Sequence, residues 1–124
     1  MIRTARQQNV RVPENLRGGE GSISFHDFLT AEDAFGAGHL FSKTVIPAGA
    51  SIGEHRHEGE FELYYILSGS SEVNDNGTLV TLGAGDTHLC ASGESHAIRN
   101  PGPEALEVIM LILYENPRKT PSEK

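Results

Sequence analysis

The chain has 124 residues, of which 37% are hydrophobic, 6% aromatic and 22% charged. That length predicts one domain, and that mixture belongs to a water-exposed globular chain, not to a disordered or membrane-embedded one. Ten Lys+Arg against seventeen Asp+Glu leave a net charge of −7, the wrong sign for a general binder of nucleic acid or of an anionic membrane. The single cysteine, Cys90, excludes an intrachain disulfide and a zinc-finger site. The longest apolar run, Val108 to Leu113, is too short to span a bilayer, and Arg3 and Arg6 lead into no apolar stretch of a signal peptide, so the cytoplasm is the expected location.

Residues 1–19 carry Arg3, Arg6, Arg11 and Arg17 with little apolar pattern, and read as an N-terminal arm that docks on the domain or on a partner subunit. The domain itself is expected over residues 20–115. Its strand candidates are Ser22–Phe28, His39–Ile46, Ser51–His57, Phe61–Ser68 running on to Val73, Thr78–Leu82, Thr87–Ala91, His96–Arg99 and Leu106–Tyr114. Thr30 to Phe35 reads as a single turn capped by Thr30 and stopped by Gly36 and Gly38. Asn74-Asp75-Asn76-Gly77 reads as a hairpin turn, because these residue types tolerate positive φ. Pro47-Ala48-Gly49 and Pro101-Gly102-Pro103 break the chain elsewhere. Leu106–Tyr114 is continuously apolar, and its β-branched content and its place after Pro103 favour a buried strand over a helix. Short strands punctuated by glycine and proline describe an all-β sandwich or barrel. Residues 116–124, polar with two prolines, are expected to be a flexible tail.

His55 and His57 stand two apart in a strand candidate, so both imidazoles project from one face at a chelating separation. Glu62 lies in the otherwise apolar run Phe61-Glu62-Leu63-Tyr64-Tyr65, where a lone carboxylate is costly unless paired or bound to a cation. His96 opens a further strand.

With these positions laid out, Gly49-x5-His55-x-His57-x4-Glu62-x6-Gly69 resembles the first motif of the cupin superfamily at every fixed position. Gly85-x5-Ala91-x-Gly93-x2-His96-x3-Asn100 resembles the second, with Ala91 standing where that motif usually has proline. The departure bears on loop rigidity and not on metal binding, since proline is not a ligand. The resemblance implies an all-β double-stranded β-helix, a cupin or jelly-roll-like barrel of two antiparallel sheets. It implies His55, His57, Glu62 and His96 as ligands of one divalent metal. The stretches around Glu62 and His96 are most similar to the small single-domain cupins described as oxalate-decarboxylase-like. Three imidazoles and a carboxylate suit one divalent transition metal per chain, Mn or Fe by preference and Ni, Co, Cu or Zn by compatibility, but not Ca. Four protein ligands leave open positions on a six-coordinate ion, the arrangement of catalytic sites.

Tyr64 shares the parity of Glu62 and so faces the interior, where its hydroxyl can touch a ligand; His39 can line the same pocket. His26 and His88 have no partner at chelating spacing and read as surface or internally satisfied residues. Cys90 reads as a small inert hydrophobe. Arg56 points away from the histidines, Glu54, Glu58, Glu60 and Glu94 as solvated or supporting groups, and Gly93 and Asn100 as residues that shape a turn and a strand end.

Three functions fit. The first is an enzyme on a small carboxylate held on the metal, such as oxalate or a keto or hydroxy acid, working as a decarboxylase or dioxygenase; the large two-domain oxalate decarboxylases use a lid glutamate, and no matching lid segment is present here. The second is a non-redox sugar or sugar-acid isomerase or lyase. The third is a metal-dependent binding protein without turnover. Fold alone does not choose among them. The strands Phe61–Leu67 and Val108–Tyr114 are apolar on both faces, while a barrel interior covers one, so a homodimer joined sheet on sheet is expected.

Overall fold

A computed structural model of the protein describes residues 1–117. Ten strands run in chain order: β1 (Asn9–Arg11), β2 (Ser24–Leu29), β3 (Gly38–Ile46), β4 (Ser51–Arg56), β5 (Glu60–Ser68), β6 (Ser70–Asp75), β7 (Thr78–Gly83), β8 (Thr87–Cys90), β9 (Ser95–Arg99) and β10 (Leu106–Tyr114). They form a six-stranded sheet in the order β1-β2-β3-β10-β5-β8 and a four-stranded sheet in the order β4-β9-β6-β7. Every ladder is antiparallel. Helix-like hydrogen bonding among the described residues is confined to single 3-10 turns at Ala5–Gln7 and Leu16–Gly18, the second interrupted by left-handed Arg17. The all-β architecture of two antiparallel sheets is the one the sequence predicts.

The core follows the two-residue period of a strand. Leu106, Val108, Met110 and Ile112 of β10 are buried, and the first three pack in one cluster with Tyr64 and Ile66 of β5, Ile46 of β3, and Ile52, Val73 and Ile98 from the opposite sheet. The unbroken apolar run of β10 is a strand because it lies between β3 and β5, paired along both edges. The predicted run from Phe61 to Val73 is instead two strands. Gly69 breaks it at φ +89°, and a Cβ there would lie 2.8 Å from the Ala105 carbonyl oxygen. At that point the chain leaves the six-stranded sheet and enters the four-stranded one.

The loops match their residue chemistry. The Asp33 amide donates to Thr30 Oγ1 at 3.1 Å and the Thr30 amide to Asp33 Oδ2 at 3.2 Å, closing the single turn. Gly77 donates its amide to Asn74 Oδ1 at 2.7 Å in the β6–β7 hairpin. The tail expected over 116–124 lies, from residue 118 onward, outside the described residues.

The arm docks on its own barrel. β1 adds to the edge of the six-stranded sheet, with Val10 opposite His26. Its anchor is Asp27, a buried carboxylate that accepts from Asn9 Nδ2 at 2.9 Å, Arg11 Nε at 2.9 Å and Arg11 Nη2 at 2.8 Å. The Arg11 guanidinium also sits 4.6 Å above the Phe25 ring. Further along, the arm meets β4: Glu20 donates its amide to Ser51 Oγ at 2.8 Å and Ser51 donates back to the Glu20 carbonyl at 2.9 Å. Burial raises the Asp27 pKa, but the hydrogen bonds from Arg11 and Asn9 outweigh it and hold the carboxyl below its ordinary value. A depressed carboxyl stabilises the fold above its unfolded pKa, near 3.9, and that contribution fades as pH falls through the folded value. Asp27→Ala should therefore cost about 1–3 kcal/mol at neutral pH in urea unfolding, with faster amide exchange across β1; an unchanged midpoint would show that this anchor does not hold the arm.

Candidate metal centre

Three strands from both sheets bring four side chains to one point inside the barrel. β4 carries His55, and His57 follows just beyond its end. β9 carries His96 directly opposite His55, and β5 presents Glu62 from the facing sheet. His57 is fixed by its own backbone, whose amide donates to the Glu94 carbonyl at 3.1 Å while its carbonyl accepts from Gly93 at 2.6 Å. His57, Glu62 and His96 are buried at 4%, 3% and 0% exposure.

The donor atoms crowd together. Glu62 Oε1 is 3.0 Å from both His57 Nε2 and His96 Nε2 and 3.8 Å from His55 Nε2. His96 Nε2 is 3.1 Å from His57 Nε2 and 3.1 Å from His55 Nε2, and Tyr64 Oη is 3.3 Å away. His55 Nδ1 donates to the Gly53 carbonyl at 2.8 Å, which leaves the Nε2 lone pair of the neutral ring directed at the cluster. One proton on His96 Nε2 cannot serve three such neighbours. A cation at the centre satisfies all of them, and separations of 3.0–3.1 Å match adjacent ligands on a six-coordinate ion with bonds of about 2.1 Å. The four ligand atoms lie within 4.8 Å of one another, so the group can hold a metal ion.

Without a metal, the charges arrange themselves around Glu62. Burial raises its pKa, but the three imidazoles around it, with His57 and His96 at hydrogen-bond distance, reverse this and hold it far below the ordinary carboxylate range. The hydrogen bond to Glu62 raises the His57 pKa, against an opposing effect of burial. Burial lowers the His96 pKa, and Glu62 only partly restores it. The two rings differ because His96 is wholly enclosed.

The centre opens into a cavity of about 500 Å³. Its lining includes His55, His57, Glu62 and both pocket residues expected from the sequence, Tyr64 and His39. Tyr64 is completely buried and stacks on His96 at 4.7 Å between ring centroids. Burial pushes its hydroxyl pKa well above the ordinary value, so it stays protonated. His39 lies closer to solvent, with Nε2 2.6 Å from Glu60 Oε2. Cys90 is buried opposite Glu62, and burial pushes its thiol up to about 11, which fits an inert packing residue. Arg56 pairs with Glu58 at 3.1 Å on the outside. His26 Nε2 lies 3.3 Å from Ser24 Oγ.

Three residues of this site escaped the sequence reading. His88, read as a surface or satisfied residue, instead packs against Tyr64 and His96 with centroids at 5.8 and 5.3 Å, and its buried Nε2 has no hydrogen-bond partner. Its two-residue offset from Cys90, a residue with an interior character, was the available signal. Arg11 and Arg17 line the cavity from the arm. No local pattern announces them, because they reach the site only by chain folding. Ala91 also gains a meaning: its amide donates to Glu94 Oε1 at 2.8 Å, a bond that proline at this position could not make.

A family model for the cupin domain matches residues 42–112. The chain belongs to the cupin family. Among curated proteins, this cupin is 43% identical over 99 residues to an oxalate-binding protein of Thermotoga maritima, covering 80% of this chain and 82% of that one. Among solved structures it superposes on a protein from Thermotoga maritima described as a predicted oxalate decarboxylase, with a TM-score of 0.87, 38% identity, and coverage of 92% of this chain and 99% of that one. A Halomonas protein, KdgF, shares the fold at 16% identity and a TM-score of 0.72, covering 94% of each chain.

The metal-free cluster makes a checkable claim about charge. In NMR titration of metal-free protein, Glu62→Gln should bring the His57 pKa down from its raised position, because the largest effect opposing burial is then removed and only Glu60 remains. A raised His pKa stabilises the fold below the unfolded value, near 6.5, and that contribution is lost as pH rises through the folded value. The variant should thus lose the His57 contribution below that value and, with it, the Glu62 contribution present above the unfolded carboxyl pKa; an unmoved His57 titration would contradict the contact.

Proposed function

We propose that His55, His57, Glu62 and His96 hold one divalent transition metal per chain, and that the metal binds a small carboxylate, oxalate-like or a keto or hydroxy acid, in the adjoining cavity. The observation that carries this reading is the convergence of three Nε2 atoms and one carboxylate oxygen on a single point, with neighbouring separations of 3.0–3.1 Å. Three imidazoles exclude a calcium site, and the mixed N and O donors suit Mn or Fe, with Ni, Co, Cu and Zn also compatible. A metal bound there supplies positive charge and Lewis acidity to a carboxylate. The chain does the rest. Tyr64, protonated and buried, can donate to a ligand oxygen, and His39, whose Nε2 lies 2.6 Å from Glu60 Oε2, lines the cavity.

The lining argues against a sugar. Among its described residues are no serine, threonine, asparagine or glutamine, so a polyhydroxylated ligand would find few partners, whereas Leu40, Ile52, Met110 and Ile112 form apolar walls. It also bears on turnover. Glu62 is the sole carboxylate among the described lining residues and belongs to the metal cluster, which favours capture of the acid, the property in the name of the Thermotoga relative, over decarboxylation.

We also assign the protein to a homodimer. On the outer face of the six-stranded sheet, Phe41, Leu111, Leu63 and Leu89 stand side by side across β3, β10, β5 and β8. Leu89 is 56% and nearby Leu67 42% exposed, an apolar band that a second copy of the same face would cover. A free buried cysteine suits the reducing cytoplasm. No helix among the described residues is long and apolar enough to cross a membrane.

Purified protein should contain close to one divalent metal per chain by elemental analysis, and the double variant His55→Ala/His57→Ala should contain none; full occupancy in that variant would remove the assignment. Affinity for Mn²⁺ should fall as pH drops below about 6.5, where protons compete for the imidazoles, and should fall at least tenfold in Glu62→Gln. Loaded protein should bind oxalate by calorimetry, and assays for carbon dioxide release and oxygen uptake separate capture from turnover. Light scattering should give twice the 13.4 kDa chain mass; a monomer at micromolar concentration would refute the dimer.

A further inference from the structure

We propose that Arg17 is the second anchor of the cavity, and that the preferred ligand is a dicarboxylate longer than oxalate, with one carboxylate at the metal centre and the other on the Arg17 guanidinium. The inference rests on the metal-carboxylate reading above and adds the far end of the ligand.

The backbone of Arg17 is placed by a close contact. A Cβ on Gly53 would collide with the Arg17 carbonyl, and a Cβ on Gly19 would collide with the backbone of Ser51. Glycine at both positions lets the arm lie directly on β4. Gly53 is also the residue whose carbonyl holds His55 Nδ1, so the arm is seated one residue pair from a cluster ligand. Arg17 itself adopts φ 56°, ψ 29°, a left-handed conformation that non-glycine residues seldom take. Such strain persists where surrounding contacts fix it, and it gathers at ligand-binding sites. Here the amides of Gly18 and Gly19, bonded to the Asn15 and Leu16 carbonyls at 3.0 and 2.9 Å, hold the turn.

Arg17 is among the residues lining the cavity, it is exposed to solvent there, and its guanidinium has no carboxylate partner among the described residues. Arg3, Arg11, Arg56 and Arg99 each meet a carboxylate. Among the described residues, Arg6 and Arg17 have no hydrogen bond or ion pair to the guanidinium; Arg6 is outside the cavity lining and Arg17 is part of it. Its neighbour in the lining, Arg11, is already neutralised by Asp27. The same cavity is also lined by Leu16, Leu40, Ile52, Met110 and Ile112. A cavity that combines the metal centre, an arginine without an acid partner and apolar walls suits a chain of methylenes with a carboxylate at each end. Oxalate has no such chain and its carboxylates adjoin, so it would engage the metal end alone.

The test is calorimetry on full-length Mn²⁺-loaded protein with oxalate, malonate, succinate, glutarate, acetate and butyrate, for wild type, Arg17→Gln and Arg17→Lys. Glutamine keeps a side chain of similar stem at the same backbone angle, and elemental analysis should show unchanged metal content. The expected result is that at least one of malonate, succinate and glutarate binds wild type tenfold or more tightly than butyrate, by an advantage that shrinks with added salt. Arg17→Gln should erase that advantage while changing oxalate and butyrate by less than twofold, and Arg17→Lys should keep part of it. Wild type that binds the longer diacids no better than butyrate overturns the proposal, as does an equal loss for all acids in Arg17→Gln, which would mark a structural role. Wild type that binds none of the acids overturns the metal-carboxylate reading itself, and this inference with it.

Discussion

Glu62 is the point on which the centre turns. An ionised carboxylate with 3% exposure inside an apolar barrel is costly unless several donors or a cation answer it. Here three imidazoles converge on it, and their convergence requires both sheets: β4 and β9 supply the histidines and β5 the acid. The two layers are therefore tied by packing of the Tyr64, Ile66 and Met110 cluster and by one charged junction within that core. Tyr64 belongs to both, stacked on His96 while buried among apolar neighbours.

The arm extends this logic to the cavity. Arg11, Asn9 and Asp27 hold its first part to the sheet edge, and the Gly19–Gly53 approach holds its second part to the strand bearing His55. The arm thus supplies part of the wall of a chamber whose other lining residues combine the metal cluster with Leu40, Ile52, Met110 and Ile112. Its arginines differ in electrostatic state for a simple reason: Asp27 reaches one and no acid among the described residues reaches the other. The same contrast between satisfied and unsatisfied groups marks His88, enclosed beside His96 with an unpartnered nitrogen.

Small departures from family pattern are explained locally. Where the second motif usually has proline, Ala91 offers an amide that Glu94 accepts, and Glu94 also accepts from Asn76 Nδ2 at 3.3 Å. Hydrogen bonding replaces ring rigidity in shaping the loop before His96. Asn100 serves the same architecture after His96, donating to the Ile46 and Glu104 carbonyls at 2.7 and 2.8 Å and accepting from Gly102 at 2.7 Å.

What the amino-acid order determined by itself was everything that depends on spacing along one strand or one turn. The alternation of Glu62, Tyr64 and Ile66, the turn at Asn74–Gly77 and the two-residue interval between His55 and His57 are local, and the two-residue period of a strand converts them into faces without knowledge of the rest of the chain, whereas Glu62 and His96 were tied to the pair only by resemblance to a family motif. Local order was less informative where the chain changes sheet. Gly69 splits an apparently continuous strand because its positive φ and its nearness to Ala105 depend on a segment more than thirty residues away. Tertiary structure alone decided that Arg11 and Arg17 belong to the cavity, that His88 lies against His96, and that His39 pairs with Glu60. Each is a contact between elements distant in sequence, made by strand order and by a backbone approach that two glycines permit, and neither strand order nor close approach leaves a periodic trace in the residues themselves.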